Sequence, residues 1–302
     1  MSTRSGRRTL GLAVAGLALG ALVACRAPST TPAVDVTPSP ASSASGQQGT
    51  IPTSTAPVAI THVHGIARDP ETDELLLATH EGLYRQVDGG LVQAGPVIDL
   101  MGFAVAPDGT YYASGHPGLG VDLPQPVGLL SSADGGHTWR QESRGGQSDF
   151  HALTAGPTQV TAFDGALRTT TDGKLWVDRS IPSPPRTLAA SPRTGRLVAT
   201  TADGLLASTN NGASWTALAT PELPLLATWA DDRTIATITT TGRLAVSSDR
   251  GESWDVAPKR IGVAEALWAD RTSKGRLEVI VFVDGKVLST SDSGATTTTL
   301  VE

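Results

Sequence analysis

A strand opening that recurs six times is the feature that most restricts this chain. Its copies are GIARDP (65–70), FAVAPD (103–108), ALTAGP (152–157), TLAASP (187–192), ATWADD (227–232) and ALWADR (266–271). Each is an alternating apolar run ending in a turn. Each is followed by a second run that closes near a glycine: LLLATHEG, YYASGHPG, VTAFDG, LVATTADG, TIATITTTG and VIVFVDG. A third run and another turn complete the unit. Over residues 58–302 the six units average about 41 residues. Short strands at fixed spacing, separated by turn residues, predict an all-β fold, a six-bladed β-propeller with one unit per blade. Seven blades of about 35 residues are the alternative. The turn centres Asp134, Asp172, Asn210, Asp249 and Asp292 are spaced more widely than seven would ask. With 33 Gly, 20 Pro and only 17% charged residues, a helical bundle is a poor fit.

The turns after the third run carry a motif. Ser132–Trp139 (SADGGHTW) and Ser247–Trp254 (SSDRGESW) follow the pattern S-x-D-x-G-x-T/S-W, and Ser208–Trp215 follows it with Asn210 in the Asp place. TTDGKLW (170–176) is one residue short, and TSDSGATT (290–297) lacks the Trp. These segments resemble the Asp-box (BNR-repeat) propellers, a group that includes sialidases, sortilin-type receptors and a photosystem II assembly factor. HVHG at 62–65, ATHEGLYR at 78–85, SGHPG at 114–118 and DFHAL at 149–153 look like bacterial secreted propellers labelled glycosyl hydrolase or exo-sialidase-like. The resemblance speaks to fold far more than to activity. Asp, Ser and Gly suit a tight turn whose side chains bond the backbone. Trp139, Trp176, Trp215 and Trp254 are expected to bury area between blades, and truncating Trp254 to cost about 3–5 kcal/mol. Trp229 and Trp268 share one inner-strand register.

The N-terminus reads as an address. Residues 1–25 have a basic start with Arg4, Arg7 and Arg8, an apolar run from Leu10 to Ala24, and Leu22-Val23-Ala24-Cys25. This predicts a secretory signal ending in a bacterial lipobox, with Cys25 as the lipidated residue. Arg7-Arg8-Thr9-Leu10 also resembles a twin-arginine signal, leaving Sec and Tat export both open. Cys25 is the one cysteine, so an acylated mature chain has no thiol for a disulfide, a nucleophile or a metal. Residues 26–57 hold 18 Pro, Ser or Thr among 32 positions, the composition of a disordered tether. The expected location is extracytoplasmic, lipid-anchored to the cell membrane. Loss of the three arginines takes the net charge from −6 to −9, which disfavours nucleic acid as a partner. The chain is expected to be a monomer.

Five of the six histidines fall at one end of the expected channel. In the repeat register the residue before each step is His64, Gly102, His151, Arg186, Leu226 or Glu265, and all should ring the channel mouth. His62 lies two residues before His64, on the same side. The junctions between second and third strands bring His80, Glu81, His116, Asp164, Asp203 and Asp284 to that rim. Only His137, inside a turn motif, does not belong there. Two readings follow: hydrogen-bonded surface histidines, or a site for a metal ion or polar ligand. With His, Asp and Glu donors and no Cys, His62, His64, His80, His116 and His151 would suit a divalent transition metal such as Zn²⁺ or Cu²⁺. The loop 116–128 is expected to overhang the same rim.

Sialidase chemistry lacks its parts. No F/Y-R-I-P segment is present, and the tyrosines, Tyr84, Tyr111 and Tyr112, all lie in the first two units. The family's Tyr–Glu nucleophile pair belongs near the end. A generic two-carboxylate glycosidase could draw on Glu81, Asp164, Asp203, Glu265 and Asp284. The preferred expectation is a non-catalytic binding or assembly module whose ligand is a protein segment, a glycan or a metal. A glycoside hydrolase is the alternative.

Overall fold

The computed structural model describes residues 60–302. Cys25, the signal-like segment and the 26–57 stretch lie outside the described residues. The described residues form six four-stranded antiparallel sheets, each built from four consecutive strands. Blade 1 covers residues 63–94, blade 2 98–143, blade 3 152–179, blade 4 185–218, blade 5 224–260 and blade 6 266–301. The count is six, so the seven-blade alternative falls. No helix of the described residues is long and apolar enough to cross a membrane.

The alternating runs explain the layers. The second strands, such as Leu75–Thr79, Leu197–Thr201 and Ile235–Thr239, are buried at every position because they are covered by a blade on each side. The fourth strands at the rim, such as Thr216–Leu218, are largely exposed. The apolar clusters cross blade boundaries: Ala67, Leu76 and Leu83 of blade 1 pack with Leu100, Tyr111 and Leu130 of blade 2. First strands line a central channel of about 630 Å³.

The turn motifs form closed hydrogen-bond sets. Asp134 Oδ1 accepts from the Thr138 amide at 2.9 Å, its Oδ2 accepts from the Thr138 hydroxyl at 2.6 Å, and Ser132 Oγ accepts from the Gly136 amide. Asp249 repeats this with Ser253, and Asp292 with Thr296 although the Trp is missing there. The shortened turn still forms, Asp172 accepting from the Lys174 and Leu175 amides. Each motif reaches onto the preceding blade. Trp176 Nε1 donates to Ser143 Oγ, which donates in turn to Gly173 O, and Trp254 Nε1 donates to Ala219 O. All four motif tryptophans are only partly buried. We therefore expect Trp254→Ala to cost about 2–3 kcal/mol, less than a fully buried ring, as urea unfolding would measure.

Blade 1 has no such motif. Its outer strands close through Asp88-Gly89, both with positive φ, a two-residue hairpin turn. The seam between blades 6 and 1 is instead held by Arg68, which bonds both oxygens of Glu278 at 3.2 Å, and by Gln86 donating to Leu300 O.

The hydroxyl and amide donors of their turns hold the carboxyls of Asp134, Asp249 and Asp292 down at about 2. A depressed folded-state value means their contribution is full above the unfolded value near 3.8 and is lost as pH falls through 2. Asn210 is a built-in control, since it bonds the Ser214 amide and hydroxyl without a charge. We expect the stability gap between the native chain and an Asp134→Asn/Asp249→Asn/Asp292→Asn variant to be constant from pH 7 to 4 and to shrink between 4 and 2. A gap independent of pH in thermal melts would refute it.

Candidate functional site

The channel mouth is shaped by one repeated irregularity. In blades 1, 2, 4 and 5 the inner strand carries a β-bulge at the same place, after Val63, Leu100, Pro185 and Pro224. The extra residue is His64, Met101, Arg186 or Leu225. A bulge bends its strand and re-aims the inserted side chain. His64, Met101 and Arg186 thereby reach the channel lining, together with His62, His151 and Glu265. Leu226 lines it too, whereas Gly102 and the inserted Leu225 do not.

All five expected histidines belong to one connected array. His62 Nδ1 bonds Glu265 Oε2 at 2.7 Å, across the seam between blades 1 and 6. The rings of His62, His64 and His80 form a triangle with centroids 4.6, 5.6 and 4.6 Å apart. His80 Nδ1 lies 2.9 Å from Asp99 Oδ1, and His64 Nε2 lies 3.9 Å from the same oxygen. His116 bridges onward, Nδ1 at 3.7 Å from Asp99 and Nε2 at 3.3 Å from Asp149. Asp149 then meets His151 at 2.7 Å. The order is Glu265, the three-ring cluster, Asp99, His116, Asp149, His151.

His64 is the most enclosed member, its side chain 13% exposed. Burial, with the neighbouring His62 and His80, lowers its basicity to about 4, so it is neutral at ordinary pH. Its Nε2 is buried without a hydrogen-bond partner, and so is Asp149 Oδ1. Arg186 is exposed at the same mouth and forms no ion pair among the described residues.

The carboxylates named from sequence divide sharply. Glu265 joins the array. Glu81 instead accepts from the amide and hydroxyl of Thr61. Asp164 is held by Ser148, Arg144 and Arg168. Asp203 and Asp284 occupy exposed hairpin turns, Asp284 with φ of 52°. None of these four lines the channel. The loop 116–128 also departs from expectation. None of its residues lines the channel, and it folds back through Gly118 N to Val97 O and Val127 N to Gly115 O.

Sequence reasoning missed Asp99 and Asp149. Asp149 stands two residues before His151, so the rule that placed His62 beside His64 would have found it. Asp99 was hidden because the bulge at Met101 breaks the period of two; it faces His116 directly in the strand pairing.

No protein-family model matches the chain, and no curated protein does. Among solved structures, YCF48 from Cyanidioschyzon merolae is similar over 80% of this chain and 98% of that one, with 16% identity and a TM-score of 0.50. YCF48 bound to D1 peptide is similar over 81% and 84%, with 20% identity and a TM-score of 0.53. The gluconolactonase XC5397 from Xanthomonas campestris is similar over 74% and 84%, with 13% identity and a TM-score of 0.56. At such identities likeness carries architecture alone. The chain is a six-bladed β-propeller.

Proposed function

We propose that the protein is a lipid-anchored, extracytoplasmic binding module, Cys25 carrying the lipid, whose polar ligand docks at the histidine and carboxylate mouth of the channel. One observation carries this reading: five histidines and three carboxylates from blades 1, 2, 3 and 6 converge in a single array at one end. Buried polar atoms without partners, His64 Nε2 and Asp149 Oδ1, add to it, since such atoms cost about 1–3 kcal/mol each until something satisfies them. A propeller of similar fold that binds a peptide, YCF48 with D1 peptide, gives a precedent for a protein segment as the ligand. The Asp-box turns are consistent with membership of that wider group, and they serve the frame, not the ligand.

A glycosidase needs a pair of carboxylates flanking the scissile bond. Of the five first considered, only Glu265 lines the channel, which favours binding over hydrolysis.

The test is photo-crosslinking in the cells that make the protein, from a probe at Met101 at the mouth and at Pro192 at the far end. A discrete adduct from Met101 alone supports the reading, and equal labelling from both ends overturns it. Turnover of chromogenic glycosides that Glu265→Gln abolishes would replace it with the hydrolase. Anchoring is checked separately: Cys25→Ser should move the protein from the membrane to the soluble fraction, and unchanged retention refutes the lipid.

A further inference from the structure

We propose that His64, His80 and Asp99, with His62 as fourth donor, bind one divalent transition-metal ion, Zn²⁺ or Cu²⁺, at the channel mouth. The inference rests on the binding reading of the same mouth and gives it a chemical identity. His64, His80 and Asp99 each offer a donor atom, all within 4.8 Å of one another. Ligands of a tetrahedral site with bonds of about 2.0–2.1 Å stand about 3.4 Å apart, so modest side-chain rotation closes the set. The donors are imidazole and carboxylate, which favour Zn²⁺ or Cu²⁺ over soft-thiolate or all-oxygen ions.

Three further features point the same way. His64 Nε2 is buried and lacks a partner, while Asp99 Oδ1 lies 3.9 Å off, too far for a hydrogen bond. An ion between them would supply the partner that His64 Nε2 lacks. His62 has its Nδ1 on Glu265 at 2.7 Å, so a neutral ring keeps its lone pair on Nε2. That is the carboxylate–histidine arrangement which orients metal ligands. Behind Asp99, His116 Nδ1 stands 3.7 Å from its other oxygen and His116 Nε2 3.3 Å from Asp149, a second polar layer on the far side of the carboxylate.

The frame holds these residues without the ion. His64 is the inserted residue of its bulge, and Asp99 sits beside Gly115, where a Cβ would fall 1.8 Å from Asp99 O. His64 and Asp99 are therefore set by strand geometry, while His80 stands in the two-residue turn after Leu75–Thr79 and His62 just before Val63–Arg68.

The experiment uses the tag-free full chain in detergent, stripped with EDTA and titrated calorimetrically with Zn²⁺ and with Cu²⁺. One equivalent should bind. His64→Ala and His80→Ala should each weaken binding at least tenfold, and His137→Ala, in a turn motif away from the channel, should leave it unchanged. The Cu²⁺ form should show electron-paramagnetic coupling to at least two nitrogens, reduced in His64→Ala. Circular dichroism checks that each variant folds; if His64→Ala does not, His80→Ala and Asp99→Asn carry the comparison. No stoichiometric binding, or equal binding by the folded variants, overturns the metal site. If the Met101 crosslink survives that result, the binding reading stands and only the ion is lost; if the crosslink is also absent, both fail.

Discussion

Asp69→Ala should destabilise the propeller by about 3–5 kcal/mol, because it leaves the Tyr111 hydroxyl and two turn amides without their acceptor and takes one of two carboxylates from Arg85. Asp69 follows the first inner strand and is buried. Its Oδ2 accepts from Tyr111 OH at 2.6 Å and Arg85 Nη2 at 2.8 Å, and its Oδ1 accepts from the amides of Glu71 and Thr72. Burial alone would raise this carboxyl, but the Tyr111 hydroxyl and the two amides outweigh it and hold it below the usual range. Burial and Asp69 together push the Tyr111 phenol well above its ordinary value. Arg85 also bonds Glu74 and reaches into blade 2 to Gly135 O, so the hub joins two blades. Tyr111→Phe removes one neutral donor and should cost only about 1 kcal/mol. Urea unfolding of the three proteins decides it: a cost below that of Tyr111→Phe for Asp69→Ala would mean water replaces the carboxylate.

The second large effect is expected at Gly115→Ala. Gly115 has φ of 146°, and a Cβ there would lie 1.8 Å from Asp99 O and 2.9 Å from Met101 N. Both neighbours are backbone, so no rotamer change relieves the clash. Positive-φ strain and overpacking together should cost about 3 kcal/mol or more. The consequence is local as well as global. Gly115 pairs with Leu100, inside the segment where Asp99, His116 and the Met101 bulge are set. Any variant that still folds should therefore lose the array first. We expect a melting temperature lowered by several degrees or more and, under the metal proposal, binding weakened at least tenfold. Native stability in Gly115→Ala would show that the two strands can separate cheaply.

The frame was legible because a propeller is a sequence repeat made solid. A period near 41 residues sets one blade, and the alternation of apolar residues sets which face each strand buries, so six blades could be read by aligning the steps at Gly65, Phe103, Ala152, Thr187, Ala227 and Ala266. The turn motifs were legible for a similar reason: Ser132 to Thr138 bonds within itself, and its residues needed no distant partner to be understood. Where the sequence looked degraded, at Thr170 and Thr290, the hydrogen bonds form all the same, because the turn depends on the short side chains and not on the tryptophan.

The site divides along the same line. Sequence alone placed His62, His64, His80, His116 and His151 at one mouth, since blade register fixes which strand end a residue occupies. It could not tell which carboxylates face them. Glu81, Asp164, Asp203 and Asp284 sit at the same ends of their strands as the histidines, yet local donors or solvent claim them. Asp99 and Asp149 meet the histidines only once the strands have paired and the blades have closed. Register is a one-dimensional quantity that the chain carries in its spacing. Whether a charged side chain spends itself on its own turn or turns toward the channel depends on bulges and on the neighbouring blade, and only the closed ring brings those together.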